Sequence, residues 1–319
     1  VPRPRVLLAL LAVQTMFGTL PFFGQLAMRG ASGAPGASPE GLPPLSVAAL
    51  RAAGAALILG LVAGRRLRAA SARDLGWLAL FALLGVVANQ ALFLEGLART
   101  TQINAAVLIT TIPVFTTGFA LLLRRERLSV PRLLGVATGL GGALLLAGLE
   151  RFDLSNRHIA GNLLVIANSA SWSLHLVLAR PILQRLDPRV VLAWMFLLGA
   201  LALVPAGAGP LLEVWSSVPA VSWKAMVWIV AVPTALAYLL NLHALREAES
   251  SQVAIFTYLQ PLVAGGLAWA AAGERPTART LVSALLIFAG VALVHSSGGD
   301  GGNPTRASRS VPGPGGVRR

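Results

Sequence analysis

Ten long apolar runs, each closed off by charges or by Gly/Pro/Ser turns, divide the 319-residue chain. They fall at 6–28, 45–64, 74–94, 102–123, 130–149, 159–179, 188–206, 223–244, 252–272 and 278–296. About 20 mostly apolar residues let a helix cross the hydrocarbon core of a bilayer. The backbone must satisfy its own hydrogen bonds there, so each run is expected to be a transmembrane helix. The runs are too long and alternate too weakly for barrel strands. Their borders are set by clusters such as Arg65-Arg66 and Arg124-Arg125-Glu126-Arg127. Two stretches lie outside the pattern: a Gly/Pro/Ser loop at 30–43, and residues 297–319, expected to be a disordered basic cytoplasmic tail.

Composition supports the membrane assignment. The chain is 55% hydrophobic and only 12% charged, whereas about a quarter of a soluble domain is charged. It has no cysteine, which excludes disulfides, thiolate catalysis and Cys-based metal sites. With four His and twelve acids, neither a metal cage nor a cofactor is expected.

The net charge of +14 does not indicate nucleic acid, because the 26 basic residues gather at the ends of the apolar runs. Such residues set orientation and meet anionic lipid head groups. With the N-terminus inside, 18 basic residues fall on the cytoplasmic side and seven outside, leaving Arg51 within the second run. That split predicts a multi-pass protein of a bacterial-type cytoplasmic (inner) membrane with both termini inside. The first run has a signal-like outline, with Arg3 and Arg5 before it and small residues after. It is long for a signal, and the repeat below needs it, so it is expected to stay.

A shift of 148 residues aligns 92–145 with 240–293 without a gap. Pro113 then meets Pro261, Gly118 meets Gly266, Glu126 meets Glu274, Arg127 meets Arg275 and Gly142 meets Gly290. The repeating unit holds five runs. Five is odd, so the second copy is expected to enter the membrane in the opposite sense, with Glu126 inside and Glu274 outside. Inverted repeats of this kind are a transporter architecture, with the substrate site near the midplane between the halves. The fold expected is all-α, ten transmembrane helices as two inverted five-helix repeats around a central cavity: 1–150, then 151–296.

Each half resembles an EamA-type domain of the drug/metabolite transporter superfamily. The resemblance rests on IPVFTTGFALLLRRERLSVPRLLGVATGLGGALLL (112–146) and QPLVAGGLAWAAAGERPTARTLVSALLIFAGVAL (260–293). Both carry a proline, then a Glu-Arg turn, then a Gly-rich last helix. PLSVAALRAAGAALIL (44–59) resembles the family's second helix with its Arg, here Arg51, and Phe17-Gly18 and Trp172-Ser173 resemble its opening helices. The resemblance implies ten helices around a cavity and export or exchange of small metabolites. The second half departs at Ala289, where the first has Gly141, and at Trp194-Met195, where Arg51 should recur.

Polar and aromatic residues recur at helical spacing inside the runs. Gln14, Phe17, Gly18, Pro21 and Gln25 form one stripe of the first, with a proline able to kink it. Asn168, Trp172 and His175 fall at i, i+4 and i+7 of the sixth, and Thr234, Tyr238 and Asn241 repeat that spacing in the eighth. The third run offers Asn89, Gln90 and, near its end, Glu95; the fourth has Thr110 and Thr111 before Pro113; the ninth has Thr257, Tyr258 and Gln260 before Pro261. Such groups also serve as hydrogen-bonding glue between helices. Taken together the stripes predict a binding surface of Gln14, Asn89, Asn168, Trp172, His175, Tyr238, Asn241, Tyr258 and Gln260. Pro21, Pro113 and Pro261 are the expected hinges, and Arg51 and Glu95 the charges in the pathway. Arg51 has two open readings: it snorkels to the outer interface, or it presents charge to an anionic group. Glu126 and Glu274 are read as local ion-pair partners of their flanking Arg, and Gly135, Gly139 and Gly142 as sites of close packing.

No Walker-type loop, HExxH or GxSxG occurs. The function expected is a secondary transporter, exporter or exchanger, of small metabolites such as amino acids, working by alternating access. Its partners are a small-molecule substrate and membrane lipids, with the chain taken as a monomer. The alternative is a membrane-embedded enzyme acting on lipid or isoprenoid head groups, which would need His175, Glu95 and Arg51 in one pocket.

Overall fold

The computed structural model describes residues 4–30, 41–124, 130–147, 157–183, 185–240, 259–273 and 275–296, and the regular structure among them is all helical. The sequence-predicted positions Asn241, Thr257 and Tyr258, the turn glutamates Glu126 and Glu274, most of the 30–43 loop and the 297–319 tail lie outside them. The helices are α1 (Pro4–Gly18), α2 (Leu20–Arg29), α3 (Pro44–Ala63), α4 (Ala72–Ala82), α5 (Asn89–Arg99), α6 (Gln102–Ile109) and α7 (Ile112–Leu122). They continue as α8 (Val130–Ala147), α9 (Arg157–Leu183), α10 (Pro188–Val214), α11 (Ala220–Ile229), α12 (Leu259–Ala272) and α13 (Ala278–Ser296). Among the described residues, seven helical segments are long and apolar enough to cross a membrane, and three shorter apolar helices accompany them.

Two runs expected as single helices are broken. The first divides into α1 and α2 at Thr19, and the fourth into α6 and α7 at Thr110-Thr111. Proline causes both breaks: Pro21 and Pro113 sit in the first turn of the second segment. A proline cannot donate back into the preceding turn, and that turn tightens to i→i−3 bonds. Thr19 N–H reaches Met16 O, Thr110 N–H reaches Val107 O and Thr111 N–H reaches Leu108 O, each at 3.1 Å. The threonine hydroxyls donate to the same three carbonyls at 2.6–2.7 Å.

The third and eighth runs are continuous but not uniform. Leu83–Ala88 joins α4 to α5 as a π-helical stretch, and Val230–Leu236 extends α11 in the same way. Shifting 83–88 by 148 residues gives 231–236, so the two stretches occupy the same place in the repeat. The fourth and ninth runs also end alike, on residues of positive φ: Arg124 at 54° and Gly273 at 65°.

In the packing, α3 lies along α10 and α8 along α13, while α9 lies against α5 and α7, α11 against α2, and α12 against α1. Small residues bring the backbones close. A Cβ on Gly142 of α8 would stand 2.9 Å from the Ser283 carbonyl of α13, and one on Gly290 would stand 2.5 Å from the Gly135 carbonyl of α8. These two contacts exchange under the 148-residue shift, because 142 becomes 290 and 135 becomes 283. The partner number also falls as the residue number rises, so α8 and α13 run antiparallel. Outward-facing positions are apolar, including Leu57, Leu61, Leu201, Leu212, Trp269 and Leu285, while Gln14, Arg51, Gln90 and His175 are buried. An apolar exterior around a polar interior is the distribution that lipid demands.

Gly290→Val is expected to force α8 and α13 apart and to lower stability by about 1–3 kcal/mol. Gly141→Val, at a position with nothing within 4 Å, is the neutral control. Thermal unfolding of both variants in detergent measures the difference.

Candidate functional site

Two polar layers hold the bundle. One ties helix ends together. Gln25 Nε2 donates to the carbonyls of Leu97 (3.1 Å) and Thr100 (3.0 Å), and Gln102 Nε2 donates to Gln25 Oε1 at 3.1 Å. Thr100 Oγ1 donates to Asn162 Oδ1 at 2.6 Å, and Asn162 Nδ2 to Leu146 O at 3.0 Å. Arg29 and Arg157 both donate to Ala98 O, and Arg99 pairs with Glu95. This layer draws α2, α5, α6, α8 and α9 to one end.

The second layer lies about half a bilayer deeper. Trp172 is ten residues past Asn162 and Phe17 eight before Gln25, which is about 12–15 Å along a helix rising 1.5 Å per residue. Ser222 reaches the Leu26 carbonyl, and Thr234 lies twelve residues further on, or about 18 Å. These separations are about half the roughly 30 Å thickness of a bilayer's hydrocarbon core.

Tyr238 is the hub of this layer. Its ring meets Phe17 at 5.6 Å, Phe196 at 5.3 Å and Trp172 at 6.3 Å, all edge-on. Trp172 packs on His175 at 5.1 Å, and His175 on Phe81 at 5.3 Å. The His175 ring fits because Gly85 has no side chain: a Cβ there would stand 3.1 Å from the imidazole and 2.9 Å from Met195 Cε. Met195 is one of the two residues that stand where Arg51 would recur in the second half.

Arg51 enters from α3 and does not snorkel outward; it is 3% exposed. Its Nε donates to Thr234 Oγ1 at 2.8 Å. A local cause places that acceptor. Pro233 cannot donate to the Ile229 carbonyl four residues back, and the Thr234 hydroxyl donates to that carbonyl at 2.7 Å. With its one proton so committed, the Thr234 oxygen presents lone pairs to Arg51. Arg51 and Tyr238 lie within electrostatic reach of each other. The matching π stretch is held from α9: Ser171 donates to Leu84 O at 2.9 Å and Asn168 to Asn89 O at 2.7 Å.

Of the sequence-predicted positions, Trp172, His175, Tyr238 and Arg51 come together. Gln14 and Gln260 meet as a pair, Gln260 Nε2 donating to Gln14 Oε1 at 2.6 Å, where α1 crosses α12. Asn168 and Asn89 are joined through the Asn89 backbone. Pro21 and Pro113 mark helix breaks, and Pro261 is the third residue of α12. Glu95 is in the other layer with Arg99, so it does not converge with His175 and Arg51. Gln25, from the same stripe as Gln14, also belongs to that other layer. Gln90, beside Asn89, is 1% exposed, and neither its amide nor His175 Nδ1 has a partner among the described residues. Sequence reasoning missed Phe81 and Phe196, because an apolar residue in an apolar helix carries no periodic signal. The π stretches were missed too, although Pro233 followed by Thr234 was a visible hint.

A family model described as the EamA-like transporter family matches residues 4–148 and again 159–296. The chain belongs to that family. An uncharacterized transporter of Archaeoglobus fulgidus is 29% identical over 222 residues, 68% of this chain and 74% of that protein. A probable terminal-alkyne amino-acid exporter of Streptantibioticus cattleyicolor is 26% identical over 260 residues, 80% of this chain and 84% of that protein. A chain of known crystal structure shares the fold, with a TM-score of 0.59 at 19% identity over 93% of this chain and 99% of that one. This member of the EamA-like family is thus a multi-pass membrane transporter of small molecules and not an enzyme.

Thr234→Val is expected to leave the buried Arg51 Nε without its acceptor, at a cost of about 1–3 kcal/mol. Thr234→Ser keeps the hydroxyl and is expected to retain wild-type stability. The unfolding midpoints of the two purified variants test the chain of bonds.

Proposed function

We propose that the protein is a secondary transporter of small metabolites that works by alternating access between two inverted five-helix repeats, 1–150 and 151–296. The observation that carries this reading is the midplane layer, in which Phe17 and Arg51 of the first half meet Trp172, Phe196, Thr234 and Tyr238 of the second. A site shared between halves opens to one side or the other as they rock.

Inversion is supported by the α8–α13 contacts. A twofold axis parallel to two packed helices relates them in parallel, whereas one perpendicular to them relates them antiparallel. The exchanged contacts of Gly142 with Ser283 and of Gly290 with Gly135 are of the antiparallel kind. The coincident π stretches and the double family match agree with a duplication. Ten spans, in an inner membrane of bacterial type, are read from the ten apolar runs, and the charge split supports an even number with both termini cytoplasmic. An aromatic layer with a buried cation suits metabolites of amino-acid type, and the exporter relative is named for such a substrate.

Absence of cysteine makes orientation simple to test. Single-cysteine variants Arg124→Cys and Arg275→Cys are expected to react with an impermeant maleimide from opposite faces of the membrane; labelling from the same face would refute the inversion. Trp172→Ala is expected to abolish flux in proteoliposomes while the protein still reaches the membrane. Wild-type flux in that variant would remove the midplane layer from the pathway.

A further inference from the structure

Arg51 is a cation fixed in the middle of the bundle. Thr234 engages its Nε, and the two terminal nitrogens take no acceptor among the described residues. The four acids among those residues are elsewhere. Asp74 pairs with Arg185, Asp187 with Arg66 and Glu95 with Arg99, while Glu213 is exposed near the end of α10. A guanidinium cannot discharge itself by losing its proton, and enclosing an unpaired charge is costly. With Nε occupied, the free end of the fork is the pair of terminal nitrogens, a geometry that suits a planar two-oxygen anion.

The surroundings limit that anion further. Tyr238 lies within electrostatic reach of Arg51, and Phe17, Trp172 and Phe196 surround its ring. We propose that Arg51 is a substrate subsite, taking the carboxylate of a small monoanion whose apolar or aromatic body lies against Phe17, Trp172, Phe196 and Tyr238. One fixed positive charge balances one negative charge. A dianion such as a phosphate monoester leaves a negative charge over in a low-dielectric site. An amine without a carboxylate brings only a charge like that of Arg51. The substrate class is therefore apolar carboxylates ahead of amines and phosphate esters; that this subsite serves transport rests on the carrier reading above.

The test is thermal unfolding of the purified full-length protein in detergent, titrated with 3-phenylpropionate, its amide, phenethylamine and phenyl phosphate. A solute that binds only the folded state raises the midpoint. The acid is expected to stabilise saturably, with an apparent Kd at least about tenfold below that of any of the other three, corresponding to about 1.4 kcal/mol. Arg51→Gln is expected to reduce the acid to the level of the amide, and Arg51→Lys to keep part of the preference. Equal binding of acid and amide, no binding of the acid, tighter binding of phenyl phosphate, or a preference that survives in Arg51→Gln would each overturn the proposal. If Arg51→Gln does not run as a single species on size exclusion, Arg51→Lys and the wild-type comparison of acid with amide decide. Proteoliposome flux separates the two readings. Arg51-dependent binding of the acid without flux would refute the carrier and leave the subsite, whereas equal flux of acid and amide would do the reverse.

Discussion

The hydrogen bond between Arg51 and Thr234 joins the two halves where neither could tolerate being alone. Its origin is one missing proton, that of the Pro233 amide. The proline removes the i+4 donor to the Ile229 carbonyl, the Thr234 hydroxyl donates to that carbonyl as well, and the threonine oxygen is thereby turned into an acceptor for a guanidinium from α3. Because the partner lies across the bundle, a local defect in one helix becomes a tie between repeats. The aromatic layer is built around the same point, with Tyr238 one turn beyond Thr234. In a low-dielectric interior, these few polar contacts weigh more than they would in water.

A second constraint concerns distance. Lipid surrounds the bundle and offers no hydrophobic drive to squeeze helices together, so shape must do it. Gly142, Gly290, Gly85 and Gly18 are among the points where a side chain would collide: with Ser283 and Leu286, with Gly135 and Gly139, with His175 and Met195, and with Val263. The first two hold the outer pair α8–α13. The last two admit side chains to the middle of the bundle. The same device therefore serves both the frame and the site, and the polar end layer around Gln25, Thr100 and Asn162 fixes the helices in register above it.

Much of this was legible in the residues. Apolar runs located the helices, since about 20 apolar residues leave few alternatives, and the stripes of Trp172, His175 and Tyr238 pointed inward as their spacing required. Other features were not legible, for physical reasons. The helix breaks at Thr19 and Thr110 depend on a proline falling just inside a new first turn, which reads as a simple kink from sequence. Gln25 and Gln14 share a helical face yet end in different layers, because eleven residues of helical rise put about 16 Å between them along the axis. Glu95 looked like a pathway charge, but Arg99, one turn along the same helix, takes its carboxylate. Arg51 could not be assigned from its depth alone, since depth does not distinguish a side chain that reaches outward from one that turns inward.

The paired π stretches carry a consequence for rotational phase. Each residue of an α-helix advances about 100° around the axis, so a stretch wound more loosely than that resets the direction faced by every side chain beyond it. Tyr238 points into the aromatic layer by virtue of the winding over Val230–Leu236 as much as by its own identity. A relative lacking a single residue in that interval could keep every aromatic of the layer and still turn them to lipid. The length of that short interval is thus a separate determinant of the aromatic layer, independent of which residues fill it.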